Sequence, residues 1–332
     1  MIEQQRRPTL MDVAEAAGVS RALVSIVMRG APGAAEATRQ KVLDAARELG
    51  YRPDSRARLL RSTRTKLLGL SFSTAHAFHA EIVDAAYAEA SAKGYELALG
   101  GVTSGRPEAR TIEALLDFGS EALILISPTL SSDELARYAG QVPVVSLLRN
   151  DVGDATDSVS SDDYEGIRMA VEHLVSLGHR RIVHIDGGSA VSAEPRRAAF
   201  QAEMERRGLE PAIIAGGAME EDGMTAGNSL GPVMPTAVIA FNDRSALGVI
   251  ESLRAQGQRV PADVSVLGYD DSQFARLSYV QLSSISQDAP QLAAAAVDRA
   301  VARIEGTQPA GHVVRTPHLV ARRTTAAPPA GG

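Results

Sequence analysis

Residues 9–30, TLMDVAEAAGVSRALVSIVMRG, read as two short helices joined by a turn at Gly18-Val19. Thr9 caps the first helix, and Asp12 three positions on completes a capping box that satisfies N–H groups left open by the first turn. Val13, Ala14 and Ala17 then fall on one apolar stripe. Gly18 supplies a backbone that turns left-handed without steric cost, and Ser20 caps the second helix. On that helix Leu23, Val24 and Val27 point inward, leaving Arg21, Ala22, Ser25, Ile26 and Arg29 outward. This is the layout of a helix-turn-helix, whose second helix enters the DNA major groove with its N-terminal residues on base edges. On this stretch alone an ordinary helical hairpin is the alternative.

Charge separates the chain into two parts. The whole is acidic, with 34 Lys+Arg against 40 Asp+Glu. Residues 1–66 nevertheless carry 13 basic against 7 acidic side chains, a net of +6, and the remaining 266 residues carry 21 against 33, a net of −12. A basic head on an acidic body confines the phosphate-attracting surface to one module. At 332 residues the chain allows two or three domains and a large core. Cysteine is absent, which excludes disulfides, thiolate nucleophiles and Cys-based metal sites. Without an apolar leader or a run of membrane-spanning length, a soluble, cytoplasmic protein is expected, with no membrane partner. The lack of Trp argues against base stacking on single strands.

Outward from the head, a third helix is predicted over 36–49, with Val42, Ala45 and Leu49 closing a three-helix core and Gly50 ending it. Residues 54–62, DSRARLLRS, form a basic segment too short for a stable isolated helix. A solvated linker and a hinge that folds only on DNA both fit it. From Lys66 strands and helices alternate. Strands are predicted at 67–73, 95–100, 122–127, 142–147, 181–186, 212–215, 237–241 and 264–269, with helices such as 81–93, 165–177, 196–207, 244–256 and 290–305. The strands are near-continuous apolar runs, as in parallel sheets covered on both faces. So many units suit two doubly wound subdomains, with ligand bound at the carboxyl ends of the strands, between the lobes.

Residues 9–30, Thr38-Arg39 through Lys41-Val42, Leu49-Gly50-Tyr51 with Pro53, the run Leu177-Gly178-His179-Arg180-Arg181-Ile182, Phe241-Asn242-Asp243, and Val260-Pro261 through the run from Val264 to Asp271 occur in the order of one known family. With them the chain resembles the lactose-repressor (LacI/GalR) family from about Thr9 to Thr325. The resemblance implies a helix-turn-helix head (1–52), a hinge helix or linker (53–65) and an effector-binding and dimerisation core (66–326) shaped like a type I periplasmic sugar-binding protein. Its N-subdomain is expected at about 66–162 plus 291–317 and its C-subdomain at about 163–290 plus 318–326. The Pro/Gly-rich tail 327–332 is expected to be disordered. The resemblance further implies a homodimer on a pseudo-palindromic double-stranded operator, with affinity set by a small molecule. No leucine heptad follows Leu319, so a dimer and not a tetramer is expected.

Carried over by position, Arg21 and Ala22 open the recognition helix where the family chooses its bases. Arginine suits bidentate contact with guanine O6 and N7, whereas alanine meets only an apolar feature such as a thymine methyl. Thr9, Ser20, Ser25 and Arg29 join them on the DNA-facing side. Leu60 falls on the wedge that the family inserts into the minor groove, with Leu59 as competitor, and Ala57 on the small residue where two hinge helices meet. Thr38, Tyr51, Arg56 and Arg58 are candidate phosphate contacts. The head departs from the pattern at Ile26, where an arginine is usual, and at Arg29 and Asp54, where asparagines are usual. An operator unlike the lactose operator is therefore expected.

In the core, Asp162, Arg196, Asn242 and Asp270 match positions that reach the ligand in the family. A carboxylate, a guanidinium and an amide converging on one cleft suit several hydroxyls at once, which favours a sugar or nucleoside. Arg149, Ser127, Phe72, Phe78 and His76 are weaker candidates, and Leu148 replaces the aspartate usual before Arg149. Each of these has a structural alternative, capping a helix or holding the lobes. No cofactor is expected. His76, His79 and Glu81 are spaced loosely like metal ligands, yet incidental imidazoles on a helix-loop surface explain them better. The first core strand is not followed by a G-x-G-x-x-G turn, and Gly187-Gly188-Ser189-Ala190 is no nucleophile elbow, so an enzyme is not expected. A solute-binding protein would share the core but not the basic head. A regulator of the same fold answering to a protein corepressor, or to no effector, stays open.

Overall fold

The computed structural model describes residues 8–28, 30–51, 64–231 and 235–329. The chain divides into two compact units, residues 1–65 and 66–332. The first contains α1 (Leu10–Ala17), α2 (Arg21–Met28) and α3 (Glu36–Glu48). Thr9 and Asp12 exchange the reciprocal bonds of a capping box, and Gly18 ends α1 in the left-handed region at φ 62°. Ser20 Oγ accepts the Leu23 N–H at 3.2 Å. Val13, Ala14, Ala17, Val24, Val27, Val42, Ala45 and Ala46 form the core of this unit. Leu49 was expected in that core but is 38% exposed. It is the C-cap of α3, and Ala46, one turn earlier, is buried in the cluster instead.

In the second unit the chain runs β1 (Leu67–Ser73), α4 (Ala77–Ala92), β2 (Glu96–Val102), α5 (Glu108–Asp117), β3 (Ala122–Ile126), α6 (Ser132–Ala139), β4 (Val144–Leu147) and β5 (Asp157–Ser161). It continues through α7 (Asp163–Ser176), β6 (Ile182–Ile185), α8 (Ala193–Arg206), β7 (Ala212–Ile214), α9 (Glu220–Asn228), β8 (Ala237–Ile239), α10 (Asp243–Ala255), β9 (Ser265–Asp270) and β10 (Ser283–Ser286). α11 (Ala289–Ile304), β11 (His312–Arg315) and β12 (His318–Val320) complete it. Two six-stranded sheets result, ordered β11-β5-β4-β3-β1-β2 and β12-β10-β9-β8-β6-β7. All pairs are parallel except β10 with β12. Each sheet is the spine of one lobe, with its own apolar clusters.

The chain passes between the lobes three times, after β5, after β10 and between β11 and β12. The Asp162 N–H donates to the Arg315 carbonyl at 2.9 Å, and Ser286 is paired with His318, so the three passes are stitched together. The strands at these passes are the ones hydropathy did not predict. β5 (DSVSS) and β10 (SSIS) are serine-rich yet wholly buried. Serine fits a strand buried on both faces when its hydroxyl is satisfied locally, as Ser284 Oγ is by donating to Asp243 at 2.6 Å. Asp157 at the start of β5 is fully buried and held by Arg299 and Arg303 of α11.

The tail departs from expectation as well. Ala326 is bonded to Ser265 and His179, and the Pro328 ring packs over Gly178. Through Pro329 it therefore runs as an ordered strap along the second lobe.

Candidate functional site

In the head, Arg21 and Ala22 are exposed on the first turn of α2, and Ser25 is half-buried one turn on. The turn that presents them is fixed from both sides, by Gly18 and by the Ser20 cap. Thr9 itself is spent on capping: its hydroxyl donates to Asp12 Oδ2 at 2.7 Å. Thr38 is half-buried in the first turn of α3, and Tyr51 packs half-buried against the apolar cluster of the head. Arg39 Nη2 holds the Ala31 carbonyl at 2.8 Å and so ties down the loop after α2. Arg29, Asp54, Arg56, Ala57, Arg58, Leu59 and Leu60, and the hinge reading of 54–62, lie outside the described residues.

The carboxyl ends of the strands in both sheets carry the core candidates. Four residues there lie in the left-handed region although none is glycine: Ser127 (φ 50°) after β3, Leu148 (φ 71°) after β4, and Asp270 (φ 104°) with Asp271 (φ 51°) at β9. Such backbone costs about 1–3 kcal/mol per residue and persists where the surrounding structure holds it, often at functional sites.

Arg196 is the best-anchored of the candidates. Although only 3% exposed, it donates from Nε to Asp163 at 2.8 Å and from Nη1 to the Phe241 carbonyl at 2.7 Å. Its guanidinium lies 3.6 Å from the Tyr269 ring centroid and 4.9 Å from that of Phe241. Tyr269 reaches this place because Gly166 of α7 leaves space for its hydroxyl. Nη2 of Arg196 makes no hydrogen bond to a described residue.

Asp270 accepts from Gln287 at 2.6 Å, and burial pushes its carboxyl up to about 7 against the opposing pull of Arg196. Asn242 caps α10, accepting the Ser245 N–H at 2.8 Å and donating to the Ala218 carbonyl at 3.1 Å. Asp162 caps α7 through the Glu165 N–H at 3.0 Å, leaving its second oxygen uncommitted among the described residues. Behind them Asp243 is fully buried and accepts from Ser272 and Ser284, and burial holds its carboxyl well above the usual range.

The first lobe lines its edge differently. Arg149 spends its guanidinium on Asp151 and on the carbonyls of Pro128 and Leu130. It clips the loop after β4 to the loop after β3. Phe78 is 5% exposed within the first-lobe core and supplies no open apolar face, whereas Phe72 is half-buried against the same cluster. His76 is half-buried, its ring 5.0 Å from that of His79, and burial with Arg244 nearby lowers its pKa. His79 accepts the Ser73 N–H at Nδ1 (3.1 Å) and lies 3.5 Å from Ser127 Oγ through Nε2. The Nδ1 bond puts the proton on Nε2, and burial holds the ring neutral by lowering its pKa to about 3. Among the described residues no group of three or more His, Asp or Glu is arranged to hold a metal. Nor is any helix among them long and apolar enough to cross a membrane.

Sequence reading missed Asp163, Phe241 and Tyr269 as the cage of Arg196, and Gln287 as the partner of Asp270. The signal for Asp163 was adjacency to Asp162, where two carboxylates at a helix start have room for only one to cap it.

Comparison with known proteins places both units. The profile of bacterial regulatory proteins of the lacI family matches residues 9–54, and that of a periplasmic binding protein-like domain matches residues 171–325. The lactose operon repressor of Escherichia coli (strain K12) is 34% identical over 330 residues, covering 96% of this chain and 91% of that one. Among solved structures, the lac repressor dimer bound to operator and the anti-inducer ONPF superposes with a TM-score of 0.84 at 32% identity, covering 97% of this chain and 100% of that one. A LacI transcriptional regulator from a Rhodococcus species superposes with a TM-score of 0.77 at 43% identity over 79% of this chain and 98% of that one. With the head, the two-lobed core and these relatives in agreement along nearly its whole length, the chain belongs to the lacI family of bacterial regulatory proteins.

Proposed function

We propose that the protein is a cytoplasmic transcriptional repressor without catalytic activity, which binds a pseudo-palindromic operator as a homodimer. A small molecule in the cleft between the lobes, a sugar or nucleoside, sets the operator affinity. The observation that carries this reading is the exposed Arg21-Ala22 pair on a doubly capped helix-turn-helix, in one chain with a two-lobed α/β core. Arg21 and Ala22 read base edges, while Ser25, Thr38 and Tyr51 border them. Their chemistry is that of hydrogen-bonding and phosphate-contacting groups.

In the core, Arg196 Nη2, the open oxygen of Asp162, Asp270 and Asn242 are the groups we assign to ligand hydroxyls, with Ser127, His76 and Phe72 opposite. A ligand that changes the angle between the lobes changes the spacing of the two heads. A coupling of about 1–3 kcal/mol already gives a roughly 5- to 150-fold switch.

The test is fluorescence anisotropy against the duplex upstream of the protein's own gene, with a scrambled duplex as control and salt held constant. Selective binding, shifted by one of a panel of monosaccharides and nucleosides, is the expected result. Equal weak binding to both duplexes would sink the repressor reading for that site. Within the same assay Arg21→Ala is expected to cost about 1–3 kcal/mol of discrimination per half-site. An equal loss on both duplexes makes Arg21 a phosphate contact instead.

A further inference from the structure

Among the described residues, three side-chain hydrogen bonds reach from one lobe of the core to the other, at two points of the first lobe. Glu81, in the first turns of α4, accepts the Gln273 backbone N–H at 2.6 Å and a bond from Arg276 Nη2 at 2.6 Å. Arg244, at the start of α10, donates from Nη1 to the Ala75 carbonyl at 2.7 Å. The first-lobe partner in each case belongs to the short segment that follows β1. Arg276 is itself held in place: Nη1 donates to the Asp271 carbonyl at 2.7 Å, and the Asp271 carboxylate is paired with Arg322 at 2.6 Å. Asp271 lies in the left-handed region directly after Asp270, which does too. The guanidinium that grips Glu81 therefore hangs from the residue next to Asp270.

We propose that Glu81 and Arg276 form a latch that holds the two lobes of the core together in the absence of ligand, with Arg244 on Ala75 as its second point of attachment. An isolated exposed ion pair contributes little. Here one carboxylate takes both a guanidinium and a backbone N–H, and such charge-assisted bonds are the stronger class. The Asp271 carbonyl orients Arg276 beforehand, so less side-chain freedom is lost when the latch closes. Glu81 and Arg276 act as positioning residues: they set the lobe angle that a ligand meets, and neither has to touch it. A group bound at Asp270 works on the latch through the single peptide between Asp270 and Asp271. The latch goes beyond the function proposed above, since it holds whatever the effector is.

The absence of cysteine makes the test direct. Asp133→Cys on α6 and Ser189→Cys after β6, both at exposed positions, place one spin label on each lobe of the full chain. Dilution with excess unlabelled protein isolates distances within one chain, read by double electron–electron resonance without ligand. The parent is expected to give one narrow distance. Glu81→Ala and Arg276→Glu should each add a longer, broader population, and Glu81→Arg combined with Arg276→Glu should recover part of the narrow one. Distances in Glu81→Ala that superimpose on the parent overturn the latch. So does a charge-swapped pair that recovers nothing, because a fold merely damaged by the single changes is not repaired by exchanging them.

Discussion

At the carboxyl edge of the first sheet stand Ser127, Leu148, a neutral His79 and an Arg149 already spent on its own loops. At the same edge of the second sheet stand Arg196 in its ion pair with Asp163, Asn242, and an Asp270 that burial pushes toward neutrality. The strand orders of the two sheets correspond position for position, so Arg149 after β4 is the topological counterpart of Asp270 at the end of β9. One architecture thus carries a wall whose arginine is spent on its own loops, facing one whose arginine is caged but keeps Nη2 open among the described residues. Repeating a fold fixes where the strand ends lie, but each lobe decides separately whether the polar groups there are free or already committed.

The contrast is most exposed to failure at its two arginines. Arg196→Leu strands Asp163 and an internal carbonyl, and breaking a buried pair from one side costs about 3–5 kcal/mol. Urea unfolding of the ligand-free protein measures this, and ligand binding should be lost with it. Arg149→Ala is the control on the other wall. Its carboxylate partner, Asp151, is 80% exposed, so what disappears is mainly the bonds to the carbonyls of Pro128, Leu130 and Asp151, about 1–2 kcal/mol in all. Equal losses from the two variants would mean that the walls do not differ as described.

A third test is one of pH. The Asp270 carboxyl is raised in the folded protein from 3.8 to about 7, so folding takes up a proton between those values. Its contribution to stability is therefore full at low pH and is lost as pH rises from about 4 to 7. Asp270→Asn should flatten the melting temperature against pH over that interval. An unchanged profile would assign the raised titration to the neighbouring Asp243. His79, on the opposite wall, stays neutral in the folded state from pH 5 to 8 and serves as the reference.

What could be read from sequence follows the range of the interactions involved. Thr9, Asp12, Gly18 and Ser20 act on neighbours within a few residues, and every one of those assignments holds in the structure. The aliphatic strands were equally visible. β5 and β10 were not, since serine reads as polar in hydropathy; Ser158 and Ser284 bond their hydroxyls to His312 and Asp243, while Ser160 and Ser161 are buried without a hydroxyl partner among the described residues. The cleft was legible as a set of strand ends, but not in its commitments. Arg196 finds its partners 33 and 45 residues away, at Asp163 and Phe241. Two of the carbonyls held by Arg149, those of Pro128 and Leu130, belong to a different loop from its own. Such pairings arise only when distant strand ends are brought side by side.

The three stitched passes between the lobes have a mechanical consequence. Separate tethers would let one lobe slide and twist over the other. Passes tied to one another, by Asp162 to Arg315 and by Ser286 beside His318, act instead like the leaves of one spring. Such a leaf bends easily across its face and resists shear and torsion within its plane. Whatever enters the cleft can then report itself in a single coordinate, an angle of opening, so that one number per chain is all the message the DNA-reading end receives.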